Sequence, residues 1–258
     1  MSSWYSVARV NWSKQLIELR RYLPDTISML VTFYAIFLLL FLGIRVVGDP
    51  ASMDENIRYV IISNAFWMLL LIAFLNMAGE LANEAMRGTL EQIYMSPVPA
   101  WRIVLARAVS TLLQTLVMVI VIIVLGMLTS GQWLSFSLPG ALLLAIPTLA
   151  SVLGLGLMAA GMALVYKQIG SFLQIAQFGL MALAFTPLTA FPLLEYLPAV
   201  KGLDLIRQLM MGDTSLAMIQ GSEWLSVTLN AIAYFAAGLL VFRLFERHAL
   251  RGGLLGKY

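Results

Sequence analysis

Residues 108–128 read AVSTLLQTLVMVIVIIVLGML, with Gln114 and a few small hydroxyls as the only polar side chains. A helix crossing a hydrocarbon layer ~30 Å thick takes about 20 apolar residues, and this run supplies them without one Asp, Glu, Lys or Arg. Five more stretches are long and apolar enough: Ile27–Val47, with Arg45 near its end where it can snorkel, Tyr59–Ala78, Pro139–Tyr166, Ile169–Phe191 and Trp224–Phe242. Lys167 and Gln168 alone separate the fourth from the fifth, which predicts a tight helical hairpin there. The expected fold is therefore all-α and integral to the membrane, with six spans over residues 27–243.

Composition agrees with this reading. The 258 residues are 61% hydrophobic and 11% charged, with a mean hydropathy of +0.90, whereas a soluble domain carries roughly 25% charged residues. The net charge of +3 raises the question of nucleic acid, but the basic residues lie scattered between spans, a pattern that topology explains. Arg9, Lys14, Arg20, Arg21, Arg87, Arg102, Arg107, Lys167, Arg243, Arg247, Arg251 and Lys257 fall on one side. Arg45, Arg58, Lys201 and Arg207 fall on the other. By the positive-inside rule both termini are cytoplasmic, in a plasma or cell inner membrane, with residues 244–258 as a cytoplasmic tail.

Ahead of the first span, Tyr5, Ala8, Trp12, Leu16, Leu19 and Leu23 recur at helical spacing. That pattern predicts an amphipathic helix over residues 1–26 lying in the membrane interface and broken at Pro24, with a flexible tail as the alternative. No small-residue cleavage site follows, so the first span is not read as a removable signal peptide.

Chemistry is sparse. There is no cysteine, and the single histidine, His248, sits among charges in the tail. The span interiors hold no ionisable residue, only Asn64, Asn76, Gln114, Gln174, Gln177, Thr186, Thr189 and Asn230. Such residues hydrogen-bond between helices or line a pathway. A carrier driven by an ion gradient needs a titratable or ion-binding site near midplane, so that alternative is disfavoured. Gly252-Gly253-Leu254-Leu255-Gly256-Lys257 has the wrong spacing for a phosphate loop and no Ser or Thr after the lysine. Gly154, Gly156 and Gly161 miss the dinucleotide spacing; with Ala159 and Ala160 they predict close helix packing instead. No HExxH, GxSxG or metal-binding acid cluster is present, so no nucleotide site, metal or catalytic set is expected in this chain.

The longest connection on the basic side, residues 79–107, reads GELANEAMRGTLEQIYMSPVPAWRIVLAR. Thr89 with Gln92 three residues later is a capping-box pattern, and Gly88 is a joint before it. Leu90, Ile93 and Tyr94 share one face of a short helix that Ser96-Pro97-Val98-Pro99 ends. No partner for that apolar face is evident within the chain, which predicts a protein partner or a fold back onto the interface.

GTLEQIYMSPVP resembles the signature of the type-2 ATP-binding-cassette (ABC) exporter permeases, in which an acidic residue precedes GTLEQL and a Ser/Thr-Pro. The six spans, the amphipathic amino terminus and the stretch Leu197–Arg207 before the last span also resemble that family, so the likeness covers nearly the whole chain. Asn83 stands where members often have a basic residue. The resemblance implies a coupling helix at which Glu84, Thr89, Leu90, Glu91, Gln92, Ile93 and Tyr94 contact a separate ATPase subunit, present in two copies and binding the ATP and Mg. It implies an outer re-entrant segment over residues 192–223, and pairing with a second copy or a related permease. It also implies export of an amphipathic, lipid-linked or drug-like substrate. Because the family's fifth and second spans lie near the subunit interface, Gln174, Gln177 and Phe178 are expected to line the pathway opposite Asn64. An ion-driven carrier and a non-transporting membrane scaffold are the alternatives.

Overall fold

The computed structural model describes residues 23–90, 94–95, 97–135, 138–166, 168–212 and 214–252. Seven α-helices order them: α1 (Leu23–Val47), α2 (Met53–Arg87), α3 (Ala100–Ser130), α4 (Leu138–Tyr166), α5 (Gly170–Phe185), α6 (Val200–Met211) and α7 (Gly221–Arg251). Two short 3₁₀ turns, Pro192–Tyr196 and Leu216–Met218, flank α6. The expected interfacial helix lies outside the described residues except for its last few positions, and Pro24 falls within the first described turn of α1.

Five of the described helices, all but α5 and α6, are long and apolar enough to cross a membrane. Helix α2 is the hub. It packs against α1, α3, α4, α5 and α6, and 83% of its most apolar stretch is buried, against 17% for α1 and 22% for α7. Its uniformly apolar sides suit a helix surrounded by others, with Ile61, Ile62, Met68, Leu69 and Leu70 at the centre of the core.

Four sequence expectations are corrected. Helix α2 continues past Ala78 through Glu80 and Glu84 to Arg87. Hydropathy marks where lipid contact ends, not where the helix does. Gly88, at φ 72°, stops it in a Schellman turn: the Gly88 amide donates to the Ala85 carbonyl and the Thr89 amide to the Glu84 carbonyl. For the same reason α7 runs beyond Phe242 to Arg251, into the expected tail.

The fifth apolar run was expected to reach Phe191, but α5 ends at Phe185. Pro187 lacks an amide hydrogen and drives Thr186 into extended backbone (φ −87°, ψ 125°). Sixteen residues span about 24 Å at 1.5 Å each.

The expected α4–α5 hairpin does not form. Helix α5 packs on α2, and the small-residue face of α4 belongs to α7. Gly154 and Gly238 bring those two backbones together: a Cβ on Gly238 would meet the Gly154 carbonyl oxygen at 2.2 Å, and one on Gly154 would meet that of Tyr234 at 2.2 Å. Gly161 sits against Phe242 in the same seam. The packing expected of these glycines is present, with α7 as the partner.

Opposite the 79–107 connection, α6 is wedged between α2 and α4 by Leu203, Ile206 and Leu209. Gly202 is needed where α6 meets Thr148, since any Cβ would clash with that side chain. Ser135 closes the far end of α6, its amide donating to the Met210 carbonyl at 2.9 Å.

Candidate functional site

Two clusters of polar side chains lie at opposite ends of the bundle. The basic end is built by the long tails of α2, α3 and α7. Arg107 on α3 reaches across to α2, its Nη1 2.6 Å from Glu84 Oε1 and 3.4 Å from Glu80 Oε2. The pair is partly accessible, with 20% of the Arg107 side chain and 22% of the Glu84 side chain exposed. A small cleft lined by Asn76, Met77, Glu80, Leu81, Val104, Arg107 and Ala108 runs alongside.

The connecting segment rests on this platform. Leu90 is 0% exposed and belongs to the main core, and Tyr94 packs against that core half-buried. Burial, with the Glu246 carboxylate of α7 alongside, raises the Tyr94 phenol above its ordinary pKa. The expected unpartnered apolar face is thus corrected at Leu90: this chain's own core occupies it. Thr89 is observed closing α2, its hydroxyl donating to the Glu84 carbonyl at 3.4 Å. Glu91, Gln92 and Ile93 lie outside the described residues. The open surface consists of Asn83, Met86, Arg87, Met95, Pro97, Pro99 and Arg102, and Met95 is 76% exposed. Trp101, half-buried at the start of α3, has the Arg102 and Arg243 guanidinium carbons 5.2 and 5.6 Å from its ring centroid. These are cation–π distances.

At the opposite end, around α6 and its two flanking 3₁₀ turns (the outer, or α6, hairpin), the central charge is Arg207, only 2% exposed. Its guanidinium carbon lies 4.4 Å from the centroid of the Tyr59 ring on α2. Its Nη2 donates to the Ala184 carbonyl near the end of α5. Asp204, the i,i+3 neighbour on α6, is 4.0 Å away. Sequence spacing suggests the Asp204 pair and misses the ring and the carbonyl, which come from helices distant in the chain. The one available signal was an arginine inside an otherwise amphipathic stretch. Lys201 pairs with Glu223 at 3.1 Å, and Asn230 Nδ2 and the Tyr234 hydroxyl donate to the Tyr196 carbonyl at 2.9 and 3.2 Å.

The four residues expected along a pathway are divided by the fold. Gln174 and Phe178 lie on the open face of α5, Phe178 68% exposed beside Ile175 at 72%, with Gln177 half-buried at its edge. Asn64 is 0% exposed and turned toward α1, its Nδ2 donating to the Phe33 carbonyl at 3.2 Å. Among the described residues, no three His, Cys, Asp or Glu side chains gather to hold a metal. The arrangement offers two articulated helix ends and an apolar face carrying amides.

Residues 49–240 match the family model described as ABC-2 family transporter protein. No curated protein and no solved structure matches the chain.

Proposed function

The chain belongs to the ABC-2 family of transporter proteins, and from that premise we propose that it is the membrane-spanning permease subunit of an ATP-driven exporter whose ATPase is a separate polypeptide. Members of the family are transmembrane permease components, generally without an ATPase site of their own. The basic end is the cytoplasmic end in this reading, both termini lie there, and the membrane is the cell's inner membrane. Helix α5 serves as a short sixth span completed by the α6 hairpin.

The observation that carries the proposal is the construction of the 88–99 segment. It is stopped by Gly88, anchored from beneath by Leu90 and braced at Glu84 by Arg107. Met95 and Pro97 remain exposed outside the bundle. A segment fixed from below and open above suits docking of a partner domain. The ATPase contact then falls on Met95, Pro97 and Arg87, together with Glu91, Gln92 and Ile93 from the sequence motif. Leu90 and Glu84 support that surface from behind.

Two copies of the chain, or this chain and a relative, flank the pathway, with two ATPase subunits binding ATP and Mg. Gln174 and Phe178 support this pairing. An amide facing lipid without a partner is unfavourable, and a second membrane subunit on this face removes that cost. An amphipathic, lipid-linked or drug-like substrate fits a pathway of neutral amides and aromatic rings.

Reconstitution in nanodiscs with candidate ABC ATPase subunits tests the assignment. Met95→Asp and Glu91→Lys are expected to weaken association about tenfold or more, since an uncompensated interface charge costs several kcal/mol, while the chain stays folded. Association unchanged in both variants would remove the segment from the interface.

A further inference from the structure

Helix α7 is held at both ends by side chains from other elements. At the cytoplasmic end Arg243 lies against the Trp101 ring at 5.6 Å, next to the point where the 88–99 segment enters α3. Glu246 neighbours Tyr94 of that segment one turn further on. At the other end Glu223 pairs with Lys201 of α6 at 3.1 Å, and Asn230 and Tyr234 hold the Tyr196 carbonyl. Between these ends α7 is an unbroken helix of 31 residues containing no proline, about 46 Å long at 1.5 Å per residue. Sharp helix kinks have identifiable causes, proline foremost, and α7 lacks that one.

Its middle is fused to α4. The Gly154–Gly238 crossing leaves no room for sliding side chains between the two backbones, and α4 itself carries α6 through Thr148 and Gly202. The α4–α7 pair therefore carries α6 by direct contact, with Pro147 of α4 beside that contact. On the other side, the Glu84–Arg107 pair ties α2 to α3 beside the start of the segment.

We propose that α7 is the rod that transmits movement of the docking segment to the outer hairpin, gripped by Trp101 through Arg243 at one end and by Tyr196 and Lys201 through Asn230 and Glu223 at the other. This rests on the assignment of the 88–99 segment as the ATPase contact. Arg243 is exposed and acts as a positioning residue. It transmits displacement and touches no substrate. The competing route is α2, which also runs the whole length, from Glu84 to Tyr59 beneath Arg207.

The two routes separate in the nanodisc complex of this chain with its ATPase. The readout is hydrogen exchange of residues 192–218, with and without ATP and Mg. Arg243→Ala is expected to leave ATPase association unchanged and to shrink the ATP-dependent change at 192–218 at least about fivefold, the low end of ordinary coupling between sites. A second variant supplies a rescue. The chain contains no cysteine, so Trp101→Cys with Arg243→Cys can be joined by a short reducible bis-thiosulfonate spacer. The joined form should respond like wild type and the reduced form like Arg243→Ala. An undiminished response in Arg243→Ala, or identical responses with and without the spacer, overturns the proposal in favour of α2. Lost association in Arg243→Ala also overturns it, by making Arg243 a docking contact. A wild-type complex that forms but whose hairpin ignores ATP overturns the transmission alone, whereas failure of wild type to bind any ABC ATPase overturns the functional assignment and this inference with it.

Discussion

Arg107 and Arg207 stand at opposite ends of the bundle and solve opposite problems. Arg107 meets two carboxylates from a neighbouring helix and keeps a fifth of its side chain in the open. Arg207 is enclosed, with the Tyr59 ring face against its guanidinium, the Ala184 carbonyl accepting from it and Asp204 4.0 Å away. A partly accessible ion pair contributes little to the fold and can loosen and re-form. A buried cation is costly unless its surroundings are built around it, and removing a partner of such a charge is strongly destabilising. The basic end is thus suited to adjustment and the hairpin end to holding one arrangement of α2, α5 and α6.

The largest expected effect breaks the enclosed site. Arg207→Ala leaves Asp204 without its counter-charge and the Ala184 carbonyl without its donor, and should cost about 3 kcal/mol or more. A lowered thermal midpoint in nanodiscs measures this, and a midpoint equal to wild type would contradict the enclosed role. Arg107→Ala should cost below about 1 kcal/mol by the same measurement, because the carboxylates it leaves are partly hydrated.

Lysine sharpens the contrast with a smaller effect. Arg107→Lys retains a point charge for Glu84 and should keep both stability and ATPase association near wild type. Arg207→Lys loses the flat guanidinium that covers Tyr59 while reaching the carbonyl, and should retain only part of the stability. Equal tolerance of lysine at both positions would mean that charge alone matters at the hairpin end. The smallest effect is that of salt. Raising ionic strength from ~0.15 M to ~1 M shortens the screening length from about 8 to about 3 Å. ATPase association through the exposed basic end should weaken severalfold, while the thermal contribution of Arg207, read as the gap between wild type and Arg207→Ala, stays constant. A gap that closes with salt would place Arg207 in contact with water.

Much of this molecule was legible in advance. The run at 108–128 announces a membrane helix because it is long, apolar and without a single charge, and α3 covers it from Ala100 to Ser130. The glycines at 154 and 161 announced close packing through their missing side chains, but not which helix would occupy them. Helix α5 was placed beside α4 because a two-residue linker leaves little reach. Competition for the glycine face went to α7, which brings its own Gly238. Nothing along the motif singled out Leu90 for burial, which comes from its packing into the main core.

The residues by themselves determined the solvent this chain lives in, the approximate positions of its long helices and the motif that identifies its family, since each depends on local composition or short spacing. Only the tertiary structure decided which faces remain open, that Asn64 bonds to the backbone of α1, and that Arg207 lies on Tyr59. Those outcomes depend on contacts between residues far apart in the chain, where several helices compete for the same surface and no local pattern records which one packs there.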